Sequence, residues 1–215
     1  MSSDHHTPVA VGAAGNAAII NAPLGQLDAA ITVVGAPIVQ SIVAHTVISD
    51  SIATVDLEEI PDDYSRLRLV LTLRSDVVAI QDDIDITFNA DTTGANYYTI
   101  SQCRYNNAGS IASTFDENLG ATGAFRVEKG AAGASSPADW IGALIVEILQ
   151  YADATDFKTF IASGFVAADT NAGELFIIDG GGIWLENANK IDQITVTPVA
   201  GGNWTAGSYA LEGII

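Results

Sequence analysis

The side chains able to do chemistry in this 215-residue chain are mostly carboxylates, gathered as Asp62-Asp63, Asp82-Asp83-Asp85 and Asp116-Glu117. Two carboxyl groups facing each other across a sugar cleft, one with a raised pKa, would hydrolyse a glycosidic bond. Asp83 and Asp85 alternate with Ile84 and Ile86, however, and that pattern reads as the solvent face of a strand. His5, His6 and His45 all lie at or before the start of the strand-like region. There is no G-x-S-x-G turn to carry a nucleophile of a Ser-His-Asp relay. A glycine loop ending in Lys-Ser/Thr, as needed to cradle phosphate, is missing too. No catalytic residue, metal site or cofactor is expected. The single cysteine, Cys103, excludes an intrachain disulfide and reads as a small core or strand residue.

Ligand binding is better supported than catalysis. Sugar sites pair an aromatic plate with Asp and Asn hydrogen-bonders on loops held by a rigid scaffold. Asp91 and Asn96 lie in the segment NADTTGAN, Tyr97 and Tyr98 follow it, and Trp204 stands with Asn203 in GGNWTAG. Asp91, Asn96, Tyr97 and Trp204 are therefore the candidate ligand-binding residues. A core or strand-end role is the alternative for each aromatic. Acidic loops also offer oxygen ligands of the type calcium takes.

Charge narrows the partners. The chain has 26 acidic and eight basic residues, a formal net charge of −18. Duplex binding needs Lys and Arg to displace counterions from phosphates, so neither nucleic acid nor an anionic membrane surface is an expected partner. The acidity itself reads as a device for solubility, through mutual repulsion. No run reaches the roughly 18 apolar residues of a membrane span. The first basic residue is Arg66, so a secretory signal with its basic n-region is not expected, and synthesis in the cytoplasm is.

The elements that must position these residues fall into two regions. Residues 1–45 contain no Lys or Arg, hold three of the six prolines and are rich in Ala, Val, Ile and Gly. A helix over about 22–34 is expected, with Asn21 or Ala22 as its cap, Pro23 in its first turn, and Gly35 with Pro37 ending it. Ile20, Leu24, Leu27, Ile31 and Val34 are spaced 4, 3, 4 and 3 apart, a heptad seam compatible with two- or three-stranded association. A single amphipathic helix packed on its own domain is the alternative. Self-association is favoured because the flanking segments are apolar and uncharged and need to be covered.

From about residue 46 the pattern turns to strands. RLRLVLTLRS places Leu67, Leu69, Leu71 and Leu73 on one face, DIDITF places Ile84, Ile86 and Phe88 on one face, and KIDQITVTP and GSYALEGII repeat the alternation. WIGALIVEILQY is helix or strand by its apolar run alone. Its Ile, Val, Trp and Tyr content favours strand, with FKTFIASGFVAA as its partner. FIIDGGGIW reads as two strands around a tight glycine turn. Short alternating segments between Gly/Asn/Asp/Ser turns predict an all-β sandwich or barrel over residues 46–215.

The series LEEIPDDYSRLRLVLTLRSD, ITFNADTTGANY, VEILQYADATDFKTF and KIDQITVTPVAGGNWTAGSYALEGI resembles a jelly-roll domain of bacteriophage virion surface proteins. NAAIINAPLGQLDAAI is similar to the short helical segment near the start of tail-fibre and other appendage proteins. The resemblance rests on Ile60-Pro61-Asp62-Asp63-Tyr64, Arg74-Ser75-Asp76, Phe88-Asn89-Ala90-Asp91 and Gly207-Ser208. It implies a jelly-roll β-sandwich preceded by an extended arm and one short helix, located on the virion surface as a homotrimer. The function so implied is a short trimeric tail fibre, anchored in other virion proteins by its N-terminal arm and presenting its jelly roll to the host, with a host-surface glycan as ligand. A head decoration protein clamping capsomers is the alternative. A non-viral lectin is disfavoured by the missing signal peptide.

Overall fold

The structure, a computed structural model, describes residues 40–107, 110–169 and 174–215, and its fold is that of the unit Ile42–Ile215. The proposed seam residues Ile20, Leu24, Leu27, Ile31 and Val34, the helix over 22–34 and most of the arm lie outside the described residues.

Twelve strands form in the described region. In chain order they are β1 (Gln40–Ile48), β2 (Val55–Leu57), β3 (Arg66–Ser75), β4 (Gln81–Phe88), β5 (Tyr97–Asn107) and β6 (Ser110–Leu119). There follow β7 (Phe125–Ala132), β8 (Gly142–Leu149), β9 (Lys158–Asp169), β10 (Glu174–Trp184), β11 (Ile194–Pro198) and β12 (Trp204–Ile214). One 3₁₀ turn, Gly94–Asn96, precedes β5. Among the described residues the first strand is β1, Gln40–Ile48.

The strands make two layers. One has the order β2-β11-β4-β7, the other β1-β12-β3-β8-β9-β10-β5-β6, and a single parallel bridge between Arg74 and Ala132 joins them. The short layer packs on the long one chiefly through β7, which lies across β5, β9 and β10. Numbering from β2, and counting the antiparallel meander β8-β9-β10 as one position, gives 1-8-3-6 in one layer and 2-7-4-5 in the other. That is the order of an eight-stranded jelly roll. Two additions distinguish this one: the seventh position is tripled, and β12 with β1 extends the long layer beyond β3.

Alternation decides the faces as expected. Leu67, Leu69, Leu71 and Leu73 of β3 are all buried, as are Ile84, Ile86 and Phe88 of β4, because a period of two sends every second side chain inward. WIGALIVEILQY supplies β8, a strand, paired on one side with β3 and on the other with β9. Here the β-branched residues belong to a strand held between two neighbours.

The glycine segment differs from expectation. FIIDGGGIW does not turn; it lies within the unbroken strand β10, with Gly181 opposite Ile100 of β5 and Ile161 of β9. Three glycines permit a turn without requiring one. Hydrogen-bonding neighbours on both sides keep the chain extended, and a side chain on Gly182 would strike the carbonyl of Tyr98 in β5.

The motifs that carried the resemblance occupy junctions. Tyr151 donates its hydroxyl to Pro61 O at 2.6 Å and accepts from Tyr64 N at 3.2 Å, fastening the segment that leads into β3. At the other end of β3, Arg74 donates through Nη1 to Ser136 Oγ, Pro137 O and Trp140 O, and through Nη2 to Ala134 O and Ser136 O. Five bonds from one guanidinium pin the loop between β7 and β8. Asp76 accepts from Asn203 N at 2.7 Å and so sets the start of β12. Asn89 accepts from Asp192 N and Gln193 N and donates to Lys190 O, holding the approach to β11.

Candidate functional site: a carboxylate knot, a polar groove and an open apolar face

Beyond Phe88 the chain leaves β4 through Asn89 and Ala90, both in the left-handed region at φ 50° and 53°. This turn delivers Asp91. Its Oδ1 accepts from Thr93 N at 2.8 Å, and its Oδ2 accepts from Asn96 Nδ2 and Trp184 Nε1, both at 2.8 Å. Tyr97 donates its hydroxyl to Asp91 O and accepts from Phe88 N, each at 3.0 Å. Three of the four candidate ligand residues, Asp91, Asn96 and Tyr97, therefore come together.

Of the three, Tyr97 faces inward, while Asp91 and Asn96 are half-buried. The Tyr97 ring is wholly buried and stacks near Phe88, with ring centroids 6.2 Å apart. Burial pushes its hydroxyl well above the ordinary phenol range. The Asp91 oxygens are taken up by protein donors, so this cluster is a structural knot joining the end of β4 to β5 and β10. Trp204 lies elsewhere and is also fully buried, its Nε1 donating to Val196 O at 3.1 Å. Neither Tyr97 nor Trp204 offers a ring face to a sugar, which corrects their assignment as aromatic plates. Both were read from loop-like neighbours; the inward direction of Tyr97 follows from strand parity in β5, and that of Trp204 from the register shift between Trp204 and Ala206, which sets it opposite buried Ser75 of β3.

Trp184 was not picked out from sequence, and neither was Lys158 beneath it. Lys158 is fully buried, yet its Nζ donates to Asp156 O and Glu186 O, each at 3.0 Å, and lies 5.7 Å from the Trp184 ring centroid. Burial pulls this ammonium below the ordinary lysine value, while the charges of Asp153, Glu186 and Asp156 oppose the shift. Only the fold brings residues 91, 158 and 184 together.

The knot predicts a pH dependence. Burial raises the Asp91 carboxyl, but the bonds from Asn96, Trp184 and Thr93 outweigh it, and the group is held below its ordinary value of 3.8. A depressed folded pKa means stabilisation that is present above 3.8 and lost as the pH falls through the folded value. Asp91→Asn is expected to cost about 2 kcal/mol at neutral pH, because it swaps a charged acceptor of three bonds for an amide. Urea midpoints of the two proteins, measured against pH, should converge in acid. A gap that persists unchanged there would refute the account.

Among the described residues two open surfaces are of interest. The outer face of the short layer holds a groove of about 550 Å³ floored by Thr87, Thr195 and Thr197 and closed at one end by Arg126, which grips Asp85 through Nε and Nη2, both at 2.8 Å. It offers threonine hydroxyls and a fixed ion pair within a lining whose exposed surface is mostly apolar, a mixture that suits a hydroxylated ligand with an apolar face. Among the described residues no group of three or more His, Cys, Asp or Glu side chains could hold a metal ion. Cys103 is buried in β5, and burial pushes its thiol up to about 11.

The second surface is the outer face of β8, β9, β10, β5 and β6. Paired positions run across it as Phe165 beside Ile177, Ile161–Gly181–Ile100, and Ile183–Tyr98–Leu119. Of these strands β8, β9 and β10 are largely apolar at both parities, whereas β5 and β6 mix polar residues into each face. The inward Phe160, Ala162 and Val166 of β9 are buried, whereas the outward Ile161 and Phe165 are 56 % and 45 % exposed. The signal was present in sequence as near-continuous apolar runs, the pattern of strands covered on both sides. Compared with known proteins, the chain matches no family model, no curated protein and no solved structure.

Proposed function

We propose that this chain is a self-associating structural protein of a bacteriophage particle: a short trimeric tail fibre with an N-terminal anchor and a host-facing jelly-roll knob. The observation that supports the reading best is the joint one of connectivity and motif placement. The fold has jelly-roll strand order, and the motif series that resembles phage appendage domains fastens its junctions through Tyr64, Arg74, Asp76 and Asn89. Such fastening makes a rigid module suited to presenting loops and faces.

On this reading residues 1–39 attach the chain to neighbouring virion proteins and the seam over residues 20–34 helps to gather three copies. For the host-facing side, the groove floored by Thr87, Thr195 and Thr197 is the candidate surface for a glycan, in place of the buried Tyr97 and Trp204.

Purified particles probed with an antibody to residues 40–215 and viewed by electron microscopy test the proposal. Label at the tail tip is the expected result. Label spread over the head replaces the fibre with a decoration protein, and unlabelled particles alongside an antibody active on the isolated chain overturn the virion assignment.

A further inference from the structure

We infer that the outer face of β8, β9, β10, β5 and β6 is a docking surface for a second copy of this chain. The inference rests on the self-association proposed above, but it locates a contact in the sandwich itself, apart from the seam at residues 20–34.

Area is the first argument. Large apolar residues on this face range from 39 % exposed at Ile183 to 87 % at Ile111, with Phe115 at 63 % and Leu119 at 64 %. Taking roughly 200 Å² for a fully exposed large side chain, the apolar surface here comes to about 1,000 Å². The largest patch on an ordinary monomer is about 300–600 Å². A standard interface takes about 800 Å² from each partner. This face is too large for the first class and sufficient for the second.

Charge selects the partner. Copies of a chain carrying −18 repel one another wherever their acidic surfaces meet. Among the described residues on this face and its β3–β12 border, Glu117, Glu147, Asp179 and Glu212 stand against Arg66, Arg68, Arg74 and Arg104. Most of these charges are already paired within one copy. Arg104 Nη2 lies 2.6 Å from Asp179 Oδ2, and Arg68 and Arg66 reach Glu147 at 2.7 and 3.4 Å. Four of the eight basic residues of the chain lie here. A neutral apolar face on an otherwise acidic protein is where two like-charged copies can approach. A basic partner would favour the acidic surfaces instead.

The full-length chain tests this by solution mass from light scattering, with three variants. Ile177→Glu puts a charge in the middle of the face without touching the core, since Ile177 points outward and is 49 % exposed. Leu27→Asp breaks the seam. Ser163→Cys adds an exposed thiol beside Ile145, and buried Cys103 leaves it as the thiol that a maleimide reads. The expected results are an oligomer for the wild type, a mass that falls in Ile177→Glu with dissociation at least about 100-fold easier and an unchanged circular dichroism spectrum, and continued association of Leu27→Asp. Labelling of Ser163→Cys should be slow in the oligomer and fast once Ile177→Glu is added.

Wild-type mass retained by Ile177→Glu overturns the inference. So does a monomer whose introduced thiol is shielded, which would assign the cover to residues 1–39 of the same chain. Leu27→Asp combined with Ser163→Cys falling to freely labelled monomers would remove this face while leaving the self-associating structural protein intact.

Discussion

Gly207→Ala is expected to destabilise the sandwich by about 4 kcal/mol, lowering the melting temperature by roughly 10 °C. The position lies in β12 just past a register shift between Trp204 and Ala206, opposite Leu73 of β3, with φ at +124°. An L side chain is strained there, and its Cβ would fall inside van der Waals contact of the Thr72 carbonyl oxygen. Relief requires β12 to move off β3. That movement would break the bonds of Thr72 Oγ1 to Ser208 N at 3.0 Å and to Ser208 Oγ at 2.8 Å. It would also disturb the buried Trp204 and Leu211 on the same strand. Gly201→Ala is the control, because Gly201 also has positive φ, +78°, but no atom lies within 4 Å of its Cβ position. It should cost only the backbone term, about 1 kcal/mol. Thermal melts that show equal losses for the two would contradict the crowding argument.

Replacing Trp204 with alanine should cost about 4 kcal/mol, within the usual range for truncating a buried aromatic. Its indole is fully buried and bonded to Val196 O of β11, and its backbone exchanges two hydrogen bonds with Ile52, N to O at 2.7 Å and O to N at 3.0 Å. Trp204 therefore links β12 to the neighbouring layer and to the segment before β2. Trp204→Phe keeps most of the apolar contact but leaves the Val196 carbonyl without its donor, so a loss of about 2 kcal/mol is expected. Chemical denaturation measures both. A ligand plate on the surface predicts the opposite outcome, a stable variant with weakened binding, and that result would return Trp204 to the candidate ligand residues.

These two variants also separate roles that the sequence left joined. Tyr97 and Trp204 stand next to Asn- and Gly-rich segments that look like binding loops, and their burial belongs to the strands those segments introduce. The threonine-floored groove and the open apolar face are surfaces on which binding can be sought instead.

By itself the sequence marked β3, β4, β8, β9, β11 and β12 as strands and showed, where polar residues alternate with apolar ones, which way they face; it did not mark β1, β2, β5, β6 or β7. Leu67 to Leu73 in β3 and Ile84 to Phe88 in β4 are inward because a strand has period two and only one parity is apolar. The same rule falls silent on β9 and β10, where both parities are apolar: Phe160 and Ile161, or Phe176 and Ile177, have equal local claims on the core. Only packing against β7 makes one set core and leaves the other as an open face. Glycines 180–182 were read as a turn and proved extended for a related reason, since a permissive backbone turns or extends according to its neighbours, and β5 and β9 hold it extended. The knot around Asp91 likewise needed the tertiary structure, because its donors from Asn96 and Trp184 lie on segments far apart in sequence that meet only when β10 pairs with β5. Local patterns fix conformation through short-range sterics and periodicity, whereas burial, charge pairing and open surface are properties of contacts between distant segments.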